Sequence, residues 1–282
     1  SKRDWFSKHL PIFTELTASQ AQDKKLLNNL HFVFVQYELS NNPEDITVNY
    51  KKNGVPTSFT QSENNAYDYA NKKVQVEVYK SAKIVQDFMQ GKLTKAEHDS
   101  ALKAQEFRIR GLTAKRTDIL VNSKSAQVAA KGLISHIRET KPDSKTIIFS
   151  KRTAQSIAIC GELNSYNGKI NKKQRDINYA NFCDGTIDVL GVCDKVNRGV
   201  NIDNLDTAIL ETFFGSDTKA AQRFGRIMRL DPDEVGTIYV LLPYYMRKEK
   251  NNTYTLQETQ QVVWARNMLR STKIKSSTVW NY

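Results

Sequence analysis

Apolar positions recur along this chain with two different periods, and each change of period marks an element. Residues 31–39, HFVFVQYEL, set Phe32, Phe34 and Gln36 against Val33, Val35 and Tyr37. That alternation predicts a strand with at least one buried face. Residues 46–50 and 55–60 flank Lys51-Lys52-Asn53-Gly54. Asn-Gly supplies the positive φ angles of a tight turn, so this stretch reads as a basic hairpin, more often a decoration on a sheet edge than a nucleic-acid contact through Tyr50 and Phe59. Over 64–110 the period lengthens, with Val74, Val78, Ala82 and Val85 at helical spacing. Gly91-Lys92-Leu93-Thr94 breaks the run, and Thr94 with Glu97 predicts a capping box on a second, antiparallel helix. Further helical runs follow at 112–122 and 125–139, the latter with Val128, Leu133, Ile134 and Ile137 expected as one apolar face. Residues 146–149, 187–193 and 207–210 are short apolar runs of the buried-strand kind, with helices expected at 154–163 and 172–182. A last strand is expected over 236–242, ended by Pro243, and then a helix over 256–269 burying Val262, Val263 and Trp264. The expected class is α/β: a mostly parallel sheet with helices on both faces, a helical and hairpin insertion, and a C-terminal helical tail.

Charge sharpens this picture. Lys plus Arg number 42 and Asp plus Glu 30, a net charge of +12. The excess favours a polyanionic partner, nucleic acid first, over a merely solvated basic surface. Lys72, Lys73, Lys80, Lys83, Lys92 and Lys95 punctuate the two expected helices. Solvated helix faces are the commoner outcome for such a run, and a strand-binding surface is the other. Cys160, Cys183 and Cys193 are widely spaced, with no C-x-x-C, which reads as reduced thiols in apolar surroundings. The four histidines show no ligand spacing. No secretory leader or apolar run of membrane length occurs, so a cytoplasmic protein is expected, or one of the host cytoplasm if viral.

The chemistry concentrates in residues 187–230. On a helix Gln222, Arg226 and Arg229 stand at i, i+4 and i+7, so one face presents an amide and two guanidinium groups. Such a face suits a polyphosphate. Gln222-Arg223-Phe224-Gly225-Arg226-Ile227-Met228-Arg229 resembles the Q-x-x-G-R-x-x-R of motif VI in superfamily-two helicases and translocases. Residues 189–202 resemble motif V, with Cys193 where the family often has Thr and Asn201 where it often has Asp. Thr146-Ile147-Ile148-Phe149-Ser150-Lys151-Arg152 resembles motif IV. The resemblance covers roughly residues 120–242.

The resemblance implies a RecA-like domain over 123–245. It also implies a segment at 1–30 leading from a first motor domain, an edge strand, hairpin and helical insertion at 31–122, and a basic helical tail at 246–282. It implies ATP with Mg²⁺ in a cleft between two RecA-like domains. Arg229, with Arg226 and Gln222, would meet the γ-phosphate, and Gly199 and Asn201 would lie near the nucleotide. Lys151, Arg152, Lys195 and Asn197 would touch the nucleic-acid backbone, a contact insensitive to base sequence. No G-x-x-x-x-G-K-[ST] occurs in the chain, so the phosphates and Mg²⁺ are expected on the first domain and this chain alone is expected to be inactive. DNA is preferred over RNA, because Arg198-Gly199-Val200-Asn201 and the long insertion differ from the compact RNA-remodelling helicases. The alternatives are a non-catalytic nucleic-acid-binding module and a domain that regulates a partner motor.

Overall fold

The computed structural model describes residues 29–52, 54–193, 202, 204–212, 233–272 and 277–281. In chain order these form β1 (Asn29–Glu38), β2 (Ile46–Lys52), β3 (Val55–Gln61), α1 (Glu63–Met89), α2 (Lys95–Val121) and α3 (Lys124–Thr140). Then come β4 (Lys145–Ser150), α4 (Thr153–Cys160), β5 (Ser165–Tyr166), α5 (Lys172–Cys183), β6 (Val189–Cys193) and β7 (Leu205–Leu210). The last described elements are β8 (Val235–Lys248), β9 (Tyr254–Glu258), α6 (Gln260–Thr272) and β10 (Ser277–Asn281).

Seven strands lie in the order β10-β1-β8-β7-β4-β6-β5, each parallel to its neighbours, and β9 pairs antiparallel with the end of β8. The strands are apolar on both faces because both faces are covered. Phe32, Phe34, Ile147, Phe149, Leu190 and Val240 face Phe182 of α5 and Val262 of α6. Val35, Ile148, Ile209 and Leu241 face Leu120 of α2, Leu133 and Ile137 of α3 and Ile159 of α4. Fully burying one such side chain stabilises the fold by roughly 1.5–3 kcal/mol. Trp264 packs against the first cluster and Trp280 against the second.

Several expectations change. The first strand is interior, flanked by β8 and β10, and the outermost strand on that side comes from the tail. The tail is therefore not only helical: it supplies β9, α6 and β10. The β2–β3 hairpin forms a sheet of its own instead of extending the large one. The helix expected to run to 163 stops at Cys160, where Gly161 takes φ 79°. Most informative is β8, which runs through Pro243. The Leu39 amide donates to the Tyr244 carbonyl, so residue 244 faces β1 and residue 243 faces the other way. On that other side β7 has ended at Val240, and β9 begins only at Tyr244. No ladder asks for the N–H that proline lacks.

The insertion is a long helical hairpin. Its capping box forms as expected: the Thr94 side chain accepts from the Glu97 amide and the Glu97 carboxylate accepts from the Thr94 amide. The helical runs expected to either side of Gly111 are one helix, α2. The hairpin is tied to the body at its root. Asn64 donates to the Met246 carbonyl at 2.7 Å and accepts from the Met246 amide at 2.6 Å. Its side chain thus continues the β1 ladder after β1 has ended. Arg116 donates to Asn71 at 2.7 Å, Asn71 donates to the Tyr245 hydroxyl, and Tyr67 stacks at a tilt on Tyr245 with centroids 5.0 Å apart.

Candidate functional site

Parallel strands bring their carboxyl ends to one edge, where open α/β sheets place ligand-contacting loops. In this sheet β4 ends at Ser150, paired with Cys193 at the end of β6, and Phe149 pairs with Leu210 at the end of β7. The chain leaves β6 on this edge within the motif V-like stretch, and leaves β7 on it ahead of the motif VI-like stretch at 222–229. Lys195, Asn197, Gly199, Asn201, Gln222, Arg226 and Arg229 lie outside the described residues.

Lys151 and Arg152 are described, and they stand together just past β4. The Lys151 carbonyl accepts the Cys193 thiol at 3.2 Å, binding the ends of β4 and β6 to each other. Arg152 begins α4 and donates to Asp118 at the end of α2, at 2.6 Å. That pair is half exposed on both sides, so it contributes little and yields readily to a competing anion.

Behind this edge lies a buried polar chain that sequence reasoning did not find. Glu211 follows β7 directly and is fully buried, as are Thr212, Gln155, Ser123 and Glu63. The Glu211 carboxylate accepts from Thr212 at 2.6 Å and from the Gln155 amide at 3.2 Å. Gln155 also donates to the Ser123 carbonyl at 2.7 Å and accepts from Gln127 at 2.8 Å. Ser123 donates its hydroxyl to Glu63, which also accepts from the Ser125 hydroxyl and the Lys124 amide. Burial pushes the nearby Tyr37 hydroxyl well above the ordinary tyrosine value, and the charges of Glu211 and Glu63 push it further. One hydrogen-bonded path thus joins the strand before the motif VI-like segment to the root of the hairpin. The available signal was an acid immediately after an apolar strand, at Leu210-Glu211. Nothing local says that this acid turns inward.

The three cysteines form no disulfide. Burial pushes the Cys160 thiol up to about 12, so it stays protonated and unreactive at neutral pH. Among the described residues no group of three His, Cys, Asp or Glu side chains is placed to hold a metal, and no helix is long and apolar enough to cross a membrane.

Residues 128–231 match the helicase conserved C-terminal domain, a span that contains all three motif-like stretches. The matched span agrees with the resemblance those stretches carry, and its mostly parallel sheet with helices on both faces is the fold class expected from the sequence. No curated protein matches the chain. Among solved structures it is similar to S. cerevisiae Dbp5 bound to RNA and ADP BeF3, with 12% identity over 55% of this chain and 39% of that one and a TM-score of 0.43. It is similar to the helicase domain of Pyrococcus furiosus Hef, with 17% identity over 68% of this chain and 38% of that one and a TM-score of 0.37. It is also similar to a DEAD box protein from Methanococcus jannaschii, with 14% identity over 54% of this chain and 38% of that one and a TM-score of 0.40. The chain spans about two fifths of the length of these three proteins.

Proposed function

We propose that this chain is the C-terminal motor domain of an ATP-dependent DNA helicase or translocase. In this reading a first RecA-like domain holds the triphosphate and Mg²⁺, and this domain closes on them. Arg229 acts as the arginine finger, Arg226 and Gln222 contact the phosphates beside it, and Gly199 and Asn201 line the nucleotide. Such a finger meets charge developing on the transferred phosphoryl group and contributes on the order of 10³ to 10⁵ in rate. Lys151, Arg152, Lys195 and Asn197 hold the nucleic-acid backbone.

The single observation that carries the reading is the order of three motif-like stretches inside the span matched by the helicase domain. Two of them begin within the adjacent strands β4 and β6, which end on one edge, and this supports a shared ligand site there. DNA over RNA rests on the sequence of residues 198–201 and the long hairpin insertion. The second reading, a non-catalytic nucleic-acid-binding module, is favoured by the basic balance of the chain.

The test is single-turnover hydrolysis in the intact two-domain motor, with nucleotide affinity measured in parallel. Arg229→Ala is expected to abolish hydrolysis while ATP and nucleic-acid binding persist, because the lost contact belongs mainly to the transition state. Arg229→Lys does not rescue, since a point charge lacks the guanidinium fork. Arg223→Ala, on another face of a helical Gln222–Arg229 segment, keeps most activity. Normal turnover in Arg229→Ala removes the finger assignment. An intact motor that binds nucleic acid and never hydrolyses ATP favours the second reading.

A further inference from the structure

The hairpin insertion has two sides with different chemistry. The inner side of α1 packs on α2: Gln105 donates to the Glu77 carbonyl, Arg116 donates to Asn71, and Phe88 stacks on His98. The outer side turns away from α2 and from the sheet. Tyr69, Lys72, Lys73, Val76, Tyr79, Lys80 and Lys83 fall within one helical stripe. Tyr69 is 62% exposed and Tyr79 73% exposed. Ten residues separate them, about 15 Å along the helix axis.

The lysines are arranged around these rings. The Lys73 ammonium stands over the Tyr69 ring, 5.3 Å from its centroid. Lys72 pairs with Asp68 and Lys80 with Glu77. In both pairs the lysine is far more exposed than its acid, so the cations face outward while the carboxylates are drawn in, that of Glu77 toward Gln105 of α2. Exposed pairs of this kind hold their partners weakly and exchange them for phosphate. A solvated helix face explains the lysines. It does not explain two exposed tyrosines at the same stripe.

We propose that the outer stripe of α1 is a second nucleic-acid-binding surface, which takes a single strand by stacking bases on Tyr69 and Tyr79 while Lys72, Lys73, Lys80 and Lys83 neutralise the backbone. The proposal deepens the nucleic-acid reading above and rests on it. Stacking tolerates any base, and lysine contacts to phosphate carry no sequence preference. The surface therefore adds grip without specificity, as a motor domain moving along a strand needs. Nucleic acid is favoured over a protein partner by the charge: cations with interleaved aromatics match a polyanion with exposed π faces.

The test uses the whole chain and a fluorescently labelled oligodeoxythymidylate of about 20 nucleotides, titrated across salt concentrations. Tyr69→Ser/Tyr79→Ser is expected to weaken binding by at least about fivefold for each stacked base, and Tyr69→Phe/Tyr79→Phe to retain it. Lys73→Gln/Lys83→Gln is expected to reduce the slope of log affinity against log salt by about 1.4, roughly 0.7 per phosphate contact on a single strand. All four positions are exposed, and an unchanged melting temperature checks that the variants fold. Lys151→Ala/Arg152→Ala separates this proposal from the reading it rests on. If that variant weakens binding while the hairpin variants match the parent, the stripe is not a nucleic-acid surface and the sheet-edge reading stands. If the hairpin variants weaken binding with the reduced slope, the proposal holds whatever Lys151 and Arg152 do. A parent chain that binds no oligonucleotide at low salt overturns both.

Discussion

The root and the outer arm of the helical hairpin share the same two helices and are held by opposite means. At the root, Glu63, Asn64, Tyr67, Arg116 and Leu120 are buried, and their polar atoms are matched to partners on α1, β8 and α3. On the arm one buried side chain, Gln105, reaches across to Glu77, and the other polar contacts, such as the Lys80–Glu77 pair and the Thr94–Glu97 capping box, lie at the surface. Buried hydrogen bonds are costly to leave half made, whereas exposed pairs are nearly interchangeable with water. The arm can therefore vary its surface to suit a ligand, and the root cannot.

The largest expected effect breaks the root. Glu63→Ala leaves the Ser123 and Ser125 hydroxyls and the Lys124 amide without their shared acceptor. Denaturant unfolding is expected to show a loss of about 3 kcal/mol, from more than one buried group left unsatisfied. A loss below about 0.5 kcal/mol, the scale of an ordinary surface substitution, would mean that the root is no better anchored than the arm.

A matched pair of glycine substitutions sharpens the contrast. At Gly191 in β6 an added Cβ would come within 2.7 Å of both the Cys160 sulfur and the Ser156 hydroxyl of α4. Gly191→Ala should cost about 2 kcal/mol through overpacking. At Gly111, inside α2, an added Cβ meets nothing within 4 Å. Gly111→Ala should stabilise by about 0.5–1 kcal/mol, through helix propensity and a less flexible unfolded chain. The same chemical change thus takes opposite signs in body and arm, and two thermal melts read it.

The smallest effect lies on the body surface. Arg138 forms a fork on Asp188, at 2.5 and 2.9 Å, and this hydrogen bonding holds the Asp188 carboxyl below its usual value. A depressed folded pKa contributes stability that is present above the unfolded value near 3.9 and is lost as pH falls through the folded one. The pair is substantially solvent-exposed, so its contribution is screened to below about 1 kcal/mol. Asp188→Asn should therefore be slightly less stable than the parent at pH 7, with the difference closing in acid. A difference that persists at the lowest pH would assign the effect to lost packing instead.

Much of the sheet was legible because parallel strands buried on both faces leave a run that needs no partner to be recognised. Residues 146–149, 187–193 and 207–210 are of that kind. The capping box was legible because its two reciprocal hydrogen bonds are local. The continuation of β8 past Pro243 was not, because it depends on which side of the strand a missing donor faces. Strand β10 was not, because Ser277–Asn281 joins the sheet only by pairing with β1, some 240 residues earlier in the chain. The place of Lys151 and Arg152 after an apolar strand was legible, whereas the buried chain through Gln155, Glu211 and Glu63 was not. A buried carboxylate looks like any surface acid until its donors arrive from distant elements.

The amino-acid sequence by itself determined the periods of its strands and helices, the caps and turns, the charge excess and the order of the motif-like residues. Each depends on contacts within a few residues or on composition. The tertiary structure decided which acids turn inward, which strand lies at the edge and which helix face looks outward. Those outcomes are set by long-range pairing, where one strand's hydrogen-bonding side and one helix's packed face are assigned by a neighbour far away in the chain.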